Sequence, residues 1–296
     1  MLFDTLLFAD YSGAASASSQ RRAIRLARAT KGKQVSLATT RFTRTQLTDE
    51  FLRELDAASR ANQRVIFGQD HQYSLPLSLI HELGLPGSIT WRALLRALVD
   101  GTYGGPKLSG PRSFAREFNE WLEGKGRPAY FYSATKSDLY GVPRINPRNA
   151  AELHRLTERH RSNALTGSPK ALNRVGDNGT VGGQTLCGLI EIDRLLRLSE
   201  DAGMHVSVWP FDGLSIDLPP YTEGHIMIEP YPTAVRDKEI PQSDESDALA
   251  CALVVQQADY AGELVRMLDL RALSALDAER VRLEGWIASH RLPLTR

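Results

Sequence analysis

Cysteine is nearly absent from this chain: Cys187 and Cys251 are the only two in 296 residues. Two thiols cannot build a disulfide framework or a cysteine-rich metal cluster, and both fall in apolar helical patterns that suit small core residues. No run of about 18 consecutive apolar residues occurs, which excludes a membrane-spanning helix. A secretory signal would need a basic segment ahead of a long apolar stretch, and the N-terminus has none. No Ser-His-Asp or Cys-His arrangement rises above chance. These absences set the expectation of a reducing, cytoplasmic compartment with no membrane partner.

Net charge is also close to zero, at +1, but its distribution is uneven. Residues 92–174 carry 15 basic and 7 acidic side chains, whereas residues 175–296 carry 10 basic and 20 acidic. A basic middle segment reads either as a footprint for a polyanion or as a solvated surface that pairs with the acidic C-terminal third. The remaining composition, 42% hydrophobic and 24% charged, is that of an ordinary globular protein with ample length for a core.

What stands out is a repeated device. The apolar run Leu6 to Ala9 ends on Asp10, with Gly13 three residues later; residues 64–70 (RVIFGQD) end on Asp70, and residues 225–229 (HIMIE) end on Glu229. Short apolar runs bounded by turn residues predict strands buried on both faces. An acid at the tip of such a strand is poorly placed for packing and well placed for chemistry, because charge avoids a dry interior. A lone aspartate at such a point is most simply a loop cap; the repetition is what argues otherwise.

Around these strands the patterns predict an α/β protein. Residues 23–30 and 34–40 alternate about a Lys31-Gly32-Lys33 turn, which with the first strand predicts a three-stranded antiparallel meander. A short basic helix over residues 19–29 is the rival. Residues 45–61 place Leu47, Phe51, Leu52, Leu55 and Ala58 on one helical face, with Thr48 at the start. Residues 74–171 lose the strand period and predict a basic, helical insertion, with helices over 75–83, 89–99, 113–122 and 150–165 and a short strand at 129–133. A glycine-rich stretch, 175–183, leads into a helix over 184–198. Its spacing matches no nucleotide-binding fingerprint, so it reads as a plain turn or as an anion-holding loop. Strands at 205–209 and 225–229 follow. Ser243 is a natural N-cap for a helix in which Asp247 shares a face with Cys251, Val254, Val255 and Ala258. Helices over 261–268 and 276–290 make residues 261–296 a C-terminal cover, and the whole chain, 1–296, reads as a single domain.

If the three strands are parallel, their acids gather beyond one sheet edge, where ligands of open α/β sheets sit. Asp10, Asp70, Glu229 and Asp247 would then repel one another unless cations intervene. Oxygen-only ligands favour Mg²⁺ or Mn²⁺. Two such ions about 4 Å apart support phosphodiester hydrolysis. Asp244 is a peripheral fifth ligand. Residues expected to meet substrate are Ser12, Gly13, His71, Arg155, Arg159 and Lys170. His71 reads as a proton shuttle or as a hydrogen-bonded loop residue. Arg155, Glu158, Arg159 and Arg161 read as a charged helix face, either paired among themselves or touching phosphate. Trp209, Phe211, Tyr221 and Tyr231 are candidates for base stacking or for the core.

The order β-β-β-α-β, then helix, strand and acidic helix, resembles the ribonuclease H-like fold. The stretch Asp244-Glu-Ser-Asp247-Ala-Leu-Ala is similar to the acidic helix of RuvC-type junction resolvases, where two aspartates three apart serve the metal site. More closely, Phe8-Ala-Asp10-Tyr-Ser-Gly13, Gly68-Gln-Asp70 with Leu75-Pro76, Ile228-Glu229-Pro-Tyr-Pro232 and Asp244 to Ala250 resemble the landmarks of an uncharacterised family of predicted nucleases with that fold. Where that family places a proline soon after its second aspartate, this chain has His71-Gln72. The resemblance implies a mixed sheet of an antiparallel meander plus parallel strands, flanked by helices. It implies a metal-dependent nuclease or phosphodiesterase acting on nucleic acid or a nucleotide. Two other readings of the same residues are an ATP-dependent phosphotransferase and a non-catalytic nucleic-acid-binding protein with a relic acidic site.

Overall fold

Leu6, Leu7, Phe8 and Ala9 are all completely buried, as a strand apolar on both faces requires. They lie in β1 (Thr5–Asp10), which runs between one antiparallel and one parallel neighbour. The computed structural model describes residues 1–149, 153–159, 170–177, 179–232 and 243–289. After β1 come α1 (Ala17–Ala23), β2 (Arg25–Thr30), β3 (Ser36–Leu37), α2 (Arg44–Arg60) and β4 (Val65–Gln69). A helical stretch follows: α3 (Leu77–Glu82), α4 (Trp91–Asp100), α5 (Pro111–Gly124), α6 (Ser137–Tyr140) and α7 (Leu156–Arg159). The chain returns to the sheet through α8 (Gly182–Asp201), β5 (Val206–Val208) and β6 (His225–Met227). It continues through α9 (Asp244–Tyr260), α10 (Leu264–Met267) and α11 (Ala275–Glu284).

The protein is therefore α/β, with a six-stranded mixed sheet in the order β3-β2-β1-β4-β6-β5. β1, β4, β6 and β5 are parallel, and β2 and β3 extend the sheet antiparallel. Alternation along the strands divides the core into two layers. Leu7, Ala9, Val65 and Phe67 pack toward Phe51 and Leu55 of α2 and Leu189 and Ile192 of α8. Leu6, Phe8 and Ile66 face the other way, toward Ala248, Cys251, Ala252 and Val255 of α9. The small residues of α9 let its axis come close to β1 and β2. Among the described residues, no helix is long and apolar enough to cross a membrane.

Several local expectations are corrected. Both readings of residues 19–30 hold in part: α1 interrupts the meander, Ser16 capping it through the amide of Ser19, and β2 starts only at Arg25. α2 covers the expected span 45–61 to within a residue at each end, but its start is set by Thr43 and Gln46 rather than Thr48, in a reciprocal capping box that satisfies two end amides at once. Residues 129–133 are not a strand; only Tyr132 makes a bridge, to Arg174. The side chain of Asn119 instead accepts from the amides of Tyr130 and Phe131, each at 2.9 Å, and donates to the Phe131 carbonyl. Of the helix expected over 150–165, α7 is what the described residues contain; 150–152 and 160–165 lie outside them, as does the expected helix end at 290. α11 stops at Glu284.

Gly68 sets the approach of β4 to β6. A Cβ there would lie 2.1 Å from the Ile228 carbonyl oxygen and 3.1 Å from Cδ of Pro230. Any larger residue must push apart the strands that carry Asp70 and Glu229. Gly68→Ala is expected to lower stability by about 1–3 kcal/mol, the usual cost of overpacking. Urea unfolding measures it; a change within 0.5 kcal/mol, roughly that of a surface substitution, would show that the strands separate freely.

Candidate functional site

Parallel pairing is what brings the acids together. In the β1–β4 register Phe8 faces Gly68 and Ala9 faces Gln69, so Asp10 and Asp70 leave the sheet side by side. Asp70 is fixed from three directions. Its amide donates to the Ala9 carbonyl (3.2 Å), its carboxylate accepts from the amide of Tyr11 (2.6 Å), and Gln184 of α8 donates to its carbonyl (2.9 Å). From the other face Ser243 caps α9 through the amide of Ser246 (3.1 Å), which puts Asp244 and Asp247 in the first helical turn. Asp10, Asp70, Glu229, Asp244 and Asp247 all line one cavity of about 350 Å³. Asp247 is 7% exposed, and the stripe below it, Cys251, Val255 and Ala258, packs in the core.

The electrostatics follow from crowding. Burial raises the pKa of Asp10 far above the carboxylate range, and the charges of Asp70, Asp244 and Asp247 push it further. Burial also raises Asp70, to about 7. Asp244 is raised as well, by burial first and then by the charges of Glu245 and Asp247, while a hydrogen bond with Asp10 offsets part of the rise at Asp70 and Asp244. Among the described residues, no ion pair neutralises Asp10, Asp70 or Asp244. Glu245, on the next face of α9, is by contrast paired with Arg25 and Arg41. Nor are any three His, Cys, Asp or Glu side chains among the described residues already gathered as a metal site. The donor chemistry, the carboxylates of Asp10, Asp70, Asp244 and Asp247 on one cavity, suits a hard divalent ion.

Glu229 has a different partner from the one expected. Arg155 donates to both of its oxygens, at 2.5 and 2.7 Å, and Tyr73 adds its amide at 3.1 Å. Arg155 is 0% exposed. It also donates to Glu158 (2.9 Å) and to the Glu284 carbonyl (3.1 Å). Burial opposes its charge, but Glu229 and Glu158 outweigh burial and hold its pKa above the usual value. The expected exposed face of Arg155 and Glu158 is therefore a buried ion network. Arg159 is exposed and donates to the His154 carbonyl, away from the residues that line the cavity, while Arg161 lies outside the described residues.

The other expected residues divide in the same way. Lys170 lines the cavity and donates to the Gly179 carbonyl. Ser12 lines it, and Gly13 makes room beside it: a Cβ at Gly13 would sit 2.7 Å from the amide nitrogen of Gln184, at the start of α8. His71 lines the cavity but is buried between the rings of Tyr11 and Tyr73, with Nδ1 donating to the Gln72 carbonyl (2.9 Å). Burial lowers its pKa to about 4, so it is neutral at physiological pH. Trp209, Phe211 and Tyr221 are core residues, and Tyr231 lines the cavity. Gln184 went unnoticed in the sequence. A glutamine in the first turn of a helix carries no signal until the fold sets it against Asp70.

Arg155→Met would leave Glu229 and Glu158 buried without their cation. It is expected to cost about 3–5 kcal/mol. Urea unfolding checks this, and a loss below 1 kcal/mol would mean that water reaches the pair. The raised Asp10 and Asp70 carboxyls make a prediction of opposite sign. Between pH 4 and their raised pKa values the folded chain holds protons that the unfolded chain has released, so stability falls as pH rises through that window. Asp10→Asn removes one such group and can still donate to Asp70 and Asp244. In EDTA its Tm is expected to exceed that of the wild type by an amount that grows from pH 5 to pH 8. The lead should reach about 2–4 °C, or roughly 1 kcal/mol. A lead that shrinks with rising pH would contradict a raised Asp10 carboxyl.

Compared with family models, with curated proteins and with solved structures, the chain matches none.

Proposed function

We propose that this protein is a divalent-metal-dependent phosphodiesterase of ribonuclease H-like architecture, acting on nucleic acid or a nucleotide. The observation that carries this reading is the delivery of Asp10, Asp70, Asp244 and Asp247 to one cavity by two parallel strands and a capped helix. The order of the acidic motifs along the chain supports it, as does the β3-β2-β1-β4-β6 arrangement with its antiparallel and parallel halves. Keeping carboxylates half-dry and mutually repelling costs stability, and perturbed groups of this kind concentrate at functional clefts.

In this reading Asp10, Asp70, Asp244 and Asp247 hold Mg²⁺ or Mn²⁺, with two ions expected. A bound ion would lower the pKa of water and balance charge developing on phosphate oxygens. The chain's own groups do the rest. Gln184 and the Tyr11 amide aim Asp70. Arg155 binds Glu229 and keeps it out of the ion set, so that Glu229 anchors the cavity wall. Lys170 lines the same cavity and offers an ammonium to a non-bridging phosphate oxygen. Asp10 must lose its proton for an ion to enter, so activity should rise with pH as the pair ionises.

With Mn²⁺ or Mg²⁺ the wild type is expected to hydrolyse DNA, RNA or a small phosphodiester, and Asp10→Asn or Asp70→Asn to lose roughly 100-fold or more. Loss of residues that merely support metal ligands already costs 10–100-fold. A readout independent of activity accompanies this: Mn²⁺ at about 100 times its Kd should stabilise the wild type by about 2.7 kcal/mol and Asp10→Asn far less. A metal screen that yields neither cleavage nor stabilisation sinks the reading.

A further inference from the structure

The basic segment is not explained by the acidic cavity. Most of its arginines are consumed internally: Arg92 pairs with Asp212, Arg96 with Glu200, Arg148 with Glu82, and Arg155 and Arg174 with Glu229 and Asp177. Arg112 and Lys136 are different. Both are exposed, neither has an ion-pair partner among the described residues, and both line a second cavity of about 370 Å³. Ser12, Gly179, Thr180 and Gln184 line this cavity and the acidic one alike, so the two adjoin.

We propose that this second cavity holds a backbone phosphate of a nucleic-acid strand whose neighbouring linkage lies in the acidic cavity. The inference rests on the phosphodiesterase reading and narrows its substrate to a polynucleotide. Three features support it. The first is charge. Asp177 is the one carboxylate among the described residues lining this cavity, and it already accepts from Ser133 (2.8 Å), Ala134 (2.9 Å), Thr135 (3.0 and 2.6 Å) and Arg174 (2.8 Å). That leaves Arg112 and Lys136 to set the sign of the cavity.

The second is the placing of Arg112 in the first turn of α5, which has no acidic residue. A cation at the positive end of a helix is unfavourable unless an anion comes to it. The guanidinium lies 5.9 Å over the ring of Tyr140, which lines the same cavity. The third is that Gly183 and Gln184, in the first turn of the 20-residue helix α8, line the same cavity, again with no acid in that turn. A strand, with a charge at every residue, can place one phosphate in the acidic, cation-requiring cavity and the next in the adjoining basic one.

The test is salt-dependent binding of single-stranded 12-mers, one of DNA and one of RNA, measured by fluorescence anisotropy with Ca²⁺ in place of Mg²⁺ or Mn²⁺, so that the acidic cavity is charge-balanced while cleavage is suppressed. The comparison is between the wild type, Arg112→Ala/Lys136→Ala and the single charge reversal Lys136→Glu. Each phosphate contact on a single strand contributes about 0.7 to the slope of log affinity against log salt. The double variant should therefore be shallower by about 0.7 for one shared phosphate and up to about 1.4 for two, with Lys136→Glu weakened in the same direction. The DNA and RNA arms identify which strand is preferred. Equal slopes for all three proteins, or no binding by the wild type, overturn the site. A wild type that binds with a steep slope but cleaves nothing in any metal would instead count against the phosphodiesterase reading and leave this phosphate site standing.

Discussion

The buried contact between Arg155 and Glu229 is the interaction on which the sheet edge and the helical insertion jointly depend. Arg155 precedes α7, Glu229 ends the β6 segment, and the Glu284 carbonyl that completes the guanidinium's bonds closes α11. A charge with no exposed surface survives only when it is paired and hydrogen-bonded, and here Glu158, Glu229 and Glu284, from three parts of the chain, supply the partners. The same contact decides the chemistry next to it. By taking both oxygens of Glu229 it removes one acid from the cluster and leaves the aspartates to interact with each other.

Those aspartates are crowded because the fold puts them there. Two parallel strands in tight register end together, and a helix capped by Ser243 starts against them. Burial and mutual repulsion in this half-dry cavity raise the carboxyls of Asp10, Asp70 and Asp244 and favour whatever counter-charge reaches them. A proton is the minimal counter-charge, and a divalent ion is a stronger one. The basic cavity beside it reverses the sign within the space of a few shared residues, as the binding of a polyanion next to its point of cleavage would require.

Much of this was legible along the chain. Apolar runs ending in acids marked β1, β4 and β6, and the unbroken apolar run Leu6 to Ala9 foretold a strand buried on both faces. The stripe headed by Asp247 foretold a helix packed on the sheet. Local rules failed where side chains compete with backbone patterns. Asn119 supplies the bonds that residues 129–133 were expected to find in a strand, and the Thr43 and Gln46 box, rather than Thr48, sets the start of α2. Arg155 was misread for a related reason. Spacing on a short helix shows which residues share a face, but not whether that face meets water or a buried carboxylate.

The sequence by itself determined the strands, the amphipathic helices and the acidic tips, because hydrophobic period and turn chemistry are local properties. Tertiary structure alone decided which acids meet, which one Arg155 withdraws, that Gln184 steadies Asp70, and that Arg112 and Lys136 share a cavity beside them. Those outcomes depend on contacts between residues far apart in the chain, 114 positions for Gln184 and Asp70 and 156 for Tyr73 and Glu229. They are set by strand register and by the need to match every buried charge, and no local pattern encodes either.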